Sequence, residues 1–130
     1  MQGNCLCGAI SVTAPDAEEV ALCHCQMCRR WGSGPMHAIH CGAGVNFSGA
    51  EPSRYQSSDW AERGFCNNCG THLFYYLIPA KEYILSAGLF QNHTFSLTTE
   101  VFVDEAPGYY PLQDNTSKMT GAEVFALYKQ

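Results

Sequence analysis

The sequence predicts a single, mainly β domain whose turns are pinned by metal. Three observations lead there. Short apolar runs of three to seven residues recur along the chain, several with period-two alternation. Gly, Pro, Asn and Asp clusters separate them. Seven of the eight cysteines fall into tight clusters: Cys5-x-Cys7, Cys23-x-Cys25-x-x-Cys28 and Cys66-x-x-Cys69, with Cys41 apart.

Taken in order, Ala9 to Thr13, Val20 to Cys23 and Met36 to Cys41 read as strands. Arg54 to Gln56 and Gly64 to Cys66 are weaker strand signals, and His72 to Leu77 is dense in aromatics. Glu82 to Ala87 and Leu97 to Val103 are the clearest strands. In the latter, Leu97, Thr99, Val101 and Val103 are expected to share one face. Helix is expected in two places only. Gln26 to Trp31 offers one turn after Cys25. Thr120 to Tyr128 offers a C-terminal helix, with Thr120 as N-cap and Glu123 completing a capping box. A mostly antiparallel sheet results.

With 130 residues, one domain spanning 1–130 is the natural expectation. The 46% hydrophobic content argues against disorder. A net charge of -5, with seven Lys and Arg, makes nucleic acid and anionic membranes poor partners. No apolar run reaches membrane-spanning length. The start Met1-Gln2-Gly3-Asn4-Cys5 carries no leader pattern, so a cytoplasmic, reducing setting is expected. The sequence leaves a homo-oligomer open.

That setting favours metal over disulfides for clustered thiols. Cysteines two or three residues apart bridge each other only with strain. A redox C-x-x-C normally opens a helix in a βαβ unit, whereas Cys66-Asn67-Asn68-Cys69 lies between β-like runs. Two thiolates from one tight turn suit a tetrahedral ion at about 2.3 Å each. Gly8 and Gly70, each following a cysteine, suit the turns this requires.

A closed structural zinc takes four protein ligands, and a catalytic one takes three plus an open position. Seven clustered cysteines divide naturally as four and three. Cys23, Cys25 and Cys28 would make the three-ligand site, and Cys5, Cys7, Cys66 and Cys69 the closed one. Spacing alone also allows other pairings. Cys41 reads as a core thiol, with a fourth-ligand role as its alternative. Two zinc ions per chain are therefore expected, one structural and one catalytic or labile.

The stretches GNCLCGAISVTA, CHCQMCRRWGSGP, RGFCNNCGTHLFY and VFVDEAPGYYPL, in that order, resemble the glutathione-dependent formaldehyde-activating family, which includes centromere protein V. The resemblance spans nearly the whole chain. It implies the complex, folded antiparallel β-sheet scaffold of that family, of Mss-four-like type, with one or two short helices. It implies that Cys5, Cys7, Cys66 and Cys69 hold the structural zinc and that Cys23, Cys25 and Cys28 hold the catalytic one. It further implies a carbon–sulfur lyase adding a small thiol such as glutathione to a small aldehyde such as formaldehyde. The alternative is a non-catalytic zinc scaffold or interaction module.

Other residues carry weaker expectations. His24, between two cluster cysteines, is either a proton relay or, more plainly, a bystander that is solvated or hydrogen-bonded beside the site. His72 has the same two readings. Arg29 and Trp31, after Cys28, are candidates for contacting the thiol substrate. Arg54, Arg63 and Lys81 are further candidates for its carboxylates, with surface charge as the plainer reading.

Overall fold

A computed structural model of the chain describes residues 1–112 and 114–128. The chain divides into two compact units. The first comprises Met1–Glu18 and Ile39–Phe95, and the second comprises Glu19–Ala38 and the chain from Ser96 onward.

The first unit holds a three-stranded antiparallel sheet of β1 (Gln2–Asn4), β2 (Ile10–Thr13) and β5 (Asn46–Gly49), in the order β1-β2-β5. Ile10 and Val12 alternate with Ser11 and Thr13, and both apolar residues are fully buried. Four more strands form an antiparallel array in the order β9-β8-β7-β6. These are β6 (Ser53–Ser58), β7 (Ala61–Phe65), β8 (His72–Leu77) and β9 (Glu82–Ser86). The later part of β4 (Met36–Gly42) lies beside β9.

Leu73, Phe74, Leu85, Phe90 and Ile39 form the core of this unit. Phe74 packs against Phe47 and Tyr83 with ring centroids 5.3 and 5.0 Å away. Burying a side chain of that size contributes about 2–3 kcal/mol. The Arg54 guanidinium lies 4.7 Å from the Phe74 ring centre and donates to Glu62 and Tyr83. Arg63 is buried, with its guanidinium 5.1 Å from the Tyr75 ring centre. Arg63 is therefore not the plain surface charge its residue type suggests, whereas Arg54 and Lys81 are both exposed.

Gly64 on β7 passes directly under Phe74. A Cβ there would sit 2.1 Å from ring carbons of Phe74. The ring is fully buried and hemmed in by Phe47 and Tyr83, so it has nowhere to swing. Gly64→Ala is therefore expected to cost about 3 kcal/mol and lower the thermal midpoint by roughly 10 °C in calorimetry. A midpoint within about 2 °C of wild type would contradict this packing.

The second unit is built on a mixed sheet. The early part of β4 pairs antiparallel with β3 (Glu19–Cys23), matching Ala21 to Ala38 and Cys23 to Met36. β3 pairs in parallel with β10 (Ser96–Val101), and β10 in parallel with β11 (Ser117–Met119). The pairings are otherwise antiparallel among the described strands, as expected, and these parallel ones are the exceptions. They join strands far apart in sequence, which hairpin signals do not report.

The expected face on Leu97–Val103 is also corrected. The strand ends at Val101, because Phe102 turns left-handed at φ 58° and Val103–Glu105 form a 3-10 turn. A register shift between Leu97 and Thr99 breaks the period of two. The residue this strand buries completely is Glu100.

Helix α1 (Gln26–Gly32) starts at Cys25, whose sulfur accepts the Cys28 N–H at 3.3 Å. Helix α2 (Gly121–Leu127) has Thr120 as N-cap, and the expected capping box with Glu123 is formed in both directions. Among the described residues, no helix is long and apolar enough to cross a membrane.

Candidate metal centres

None of the eight cysteines is in a disulfide. In the first unit, the sulfurs of Cys5, Cys7, Cys66 and Cys69 all lie within 4.8 Å of one another. Cys7 Sγ is 3.6 Å from Cys5 Sγ and 3.8 Å from Cys66 Sγ. Four thiolates at about 2.3 Å around one tetrahedral ion stand about 3.8 Å apart, so this donor set fits a single zinc-sized ion.

Two tight turns bring these sulfurs together. The Gly8 N–H donates to Cys5 O at 3.1 Å, and the Gly70 N–H donates to Cys66 O at 2.8 Å. Both glycines are left-handed, at φ 81° and 78°, where a side chain would be strained. Thr71 links the two turns: its hydroxyl accepts the Leu6 N–H at 3.0 Å and lies 3.1 Å from Cys69 Sγ. That hydroxyl, followed by the Thr71 N–H, lowers the Cys69 thiol to about 5. Burial pushes Cys5 upward, but the Ile10 N–H and the neighbouring Cys7 and Cys66 sulfurs outweigh it and leave Cys5 below its ordinary value. Cys5 and Cys69 are thus eased toward the thiolate that binds a cation, while Cys66 is shifted upward. The sequence reading did not single out Thr71, since a threonine after C-x-x-C-G carries no ligand signature.

In the second unit, the sulfurs of Cys23, Cys25 and Cys28 lie within 4.8 Å of one another. Cys23 ends β3, Cys25 caps α1, and Cys28 is buried in the helix's first turn. Hydrogen bonding with the Cys25 and Cys28 sulfurs, reinforced by burial, pushes the Cys23 thiol far up. Three sulfurs this close resist sharing three negative charges, and a cation among them removes that conflict. The donor chemistry of this cluster also fits a metal ion, with three ligands.

His24 lies between two of these cysteines and is almost wholly buried. Its Nε2 is 2.9 Å from Glu100 Oε1, and its Nδ1 is 2.7 Å from the Tyr110 hydroxyl. Of the two readings for His24, the geometry gives the hydrogen-bonded neighbour. Burial pushes the Glu100 carboxyl up, but bonds from Thr116, Lys118 and His24 prevail and hold it below its usual value. Glu100, Tyr110, Thr116 and Lys118 were not legible as site residues, because strands β10 and β11 and the Tyr110 loop bring them in from far along the chain.

Arg29 donates from Nε to His24 O at 3.0 Å and is half-buried, whereas Arg30 is exposed. Trp31 is half-buried on the same helix as Cys28. His72 is half-buried on β8, with burial and then the Arg63 charge lowering its pKa. Cys41 joins neither cluster.

Cys41 is buried on β4, and burial pushes its thiol up to about 11. Folding thus favours the protonated thiol. Its contribution to stability is whole below pH 9 and drains away as pH climbs toward about 11. Urea midpoints are expected to fall more steeply across that window in wild type than in Cys41→Val. Parallel curves would contradict the assignment.

A profile of the family described as "Glutathione-dependent formaldehyde-activating enzyme" matches residues 1–105. A Schizosaccharomyces pombe protein named as an uncharacterised lyase is 40% identical over 129 residues, covering 95% of this chain and 93% of its own. A crystal structure of a Rhodobacter sphaeroides protein matches the fold with a TM-score of 0.62 at 20% identity, covering 92% of this chain and all of that one. On a match over most of its length and a relative this similar, the chain belongs to the glutathione-dependent formaldehyde-activating family.

Proposed function

We propose that the chain is a zinc-dependent carbon–sulfur lyase that joins a thiol, glutathione or a close relative, to a small aldehyde such as formaldehyde. The family membership and the lyase name of the relative support the reaction class. The observation that carries the reading is the contrast between the clusters, with four sulfurs gathered in one and three in the other. A four-thiolate set is complete as a structural site, whereas a three-thiolate set has room for a reactant.

In this reading Cys5, Cys7, Cys66 and Cys69 hold a structural zinc, and Cys23, Cys25 and Cys28 hold a second. Zinc at the second site supplies positive charge that lowers the pKa of an incoming thiol. The substrate sulfur forms a bond to the aldehyde carbon, the carbonyl π bond opens onto oxygen, and the proton lost by the thiol ends there. Nothing is oxidised or reduced. Arg29 already spends its Nε on His24 O, and its remaining N–H donors offer a seat for a substrate carboxylate. Trp31, on the Cys28 helix, would form part of the pocket wall.

Proton NMR of glutathione mixed with formaldehyde tests this directly. The hydroxymethyl adduct is expected to form faster with the zinc-loaded protein than in buffer. An unchanged rate would remove this substrate pair and favour a zinc scaffold without catalysis.

A further inference from the structure

Glu100 has no exposed side chain, yet it is held as a carboxylate. Its oxygens divide their work. Oε1 faces His24 Nε2 at 2.9 Å, and Oε2 takes Lys118 Nζ at 2.9 Å together with the Thr116 hydroxyl. A carboxylate only accepts, so His24 Nε2 carries a proton toward it. In the neutral ring, Nδ1 is then the acceptor for the Tyr110 O–H at 2.7 Å. The two rings also stack, 5.5 Å between centroids.

The backbone of His24 is fixed as firmly as its ring. Its N–H donates to Val101 O at 3.0 Å, and its C=O accepts from Arg29 Nε at 3.0 Å. The residue between Cys23 and Cys25 is thus held at four points, two of them side-chain bonds that end on Glu100 and Tyr110. Stability alone is a poor reason to keep such a group. A buried carboxylate carries a desolvation cost that its partners barely repay, and apolar replacements of such groups are often no less stable. What the network does accomplish is to fix the one residue whose movement would carry both flanking sulfurs with it.

We propose that Glu100 is a positioning residue for the Cys23, Cys25 and Cys28 metal site, acting through His24, with the Tyr110 hydroxyl as its counterpart on the other ring nitrogen. This rests on the reading of that cluster as a metal site. Glu100 keeps the three sulfurs spaced for one ion, so the ion finds its ligands already arranged. Removing either anchor lets the Cys23–Cys25 loop relax and weakens the hold on that ion alone.

Chelator competition on the full chain, loaded with zinc, tests this in wild type, Glu100→Gln and Tyr110→Phe. Wild type is expected to release zinc in two steps, the weaker from the three-sulfur cluster. Glu100→Gln is expected to move the weaker step by about tenfold toward easier release, and Tyr110→Phe to move it in the same direction. The tighter step should stay in place. Cobalt(II) loading should show a changed thiolate charge-transfer band for the weaker site only. A fold defect without a positioning role would move both steps together, and that result would overturn the proposal. An unmoved weaker step in Tyr110→Phe, which keeps the ring and loses one hydroxyl, would overturn it even if Glu100→Gln fails to fold. A wild type with a single zinc step would instead bring down the metal-site reading on which the proposal stands.

Discussion

Cys66→Ser is expected to leave the chain without a cooperative unfolding transition. Cys66 is 1% exposed, with its sulfur 3.8 Å from Cys7 Sγ, so the substitution acts at the centre of the four-sulfur cluster. A structural zinc contributes about 10–16 kcal/mol of apparent binding energy, which matches or exceeds the roughly 5–15 kcal/mol net stability of a typical domain. Serine keeps the size but offers a poor ligand, and it leaves three thiolates facing each other. The cluster ties the chain's first turn to the turn between β7 and β8, 59 residues on. Without it, β1 and β2 lose their anchor. Circular dichroism on heating should show a broad slope or aggregation. A wild-type thermal midpoint would contradict the structural role.

Cys25→Ser is expected to do the opposite, abolishing adduct formation while sparing the fold. Cys25 has two roles, as a sulfur of the second cluster and as N-cap of α1. Serine replaces it well in the second role, being among the best N-caps, so the helix start survives. It fails in the first, leaving two sulfurs where three stood. The rate of hydroxymethyl adduct formation should fall to that of buffer, and one equivalent of zinc should be lost. The thermal midpoint should change by only a few degrees. More than about a tenth of the wild-type rate would contradict the catalytic assignment of this cluster.

How much of this was legible beforehand depended on whether the signal was local. His72–Leu77 was bounded correctly because an aromatic run sits between the Cys69-Gly70 turn and Pro79. Helix α2 was found through its capping box, which is written within four residues. Strands β1, β5 and β11 were missed. Each has only three or four residues, and Gln2-Gly3-Asn4 or Ser117-Lys118-Met119 carries no apolar alternation.

The sulfur clusters were legible as groups, since ligand pairs sit two or three residues apart. Spacing alone leaves their division open; the family resemblance implies four and three, and the folded turns gather the sulfurs in those same groups. The surroundings of His24 were not legible at all. Glu100 looks like the polar side of an alternating strand, and only the register shift after Leu97, the parallel β11 and the Tyr110 loop turn it into a buried anchor. Short-range chemistry showed in the sequence, and contacts made across parallel strands did not.

Metal analysis by mass spectrometry, with a parallel count of thiols in the denatured chain, tests the central claim most directly. Protein purified without chelator should carry two zinc ions per chain and titrate as eight thiols with no cystine. Zinc-free, folded protein with cysteines joined in pairs would contradict the account at its root.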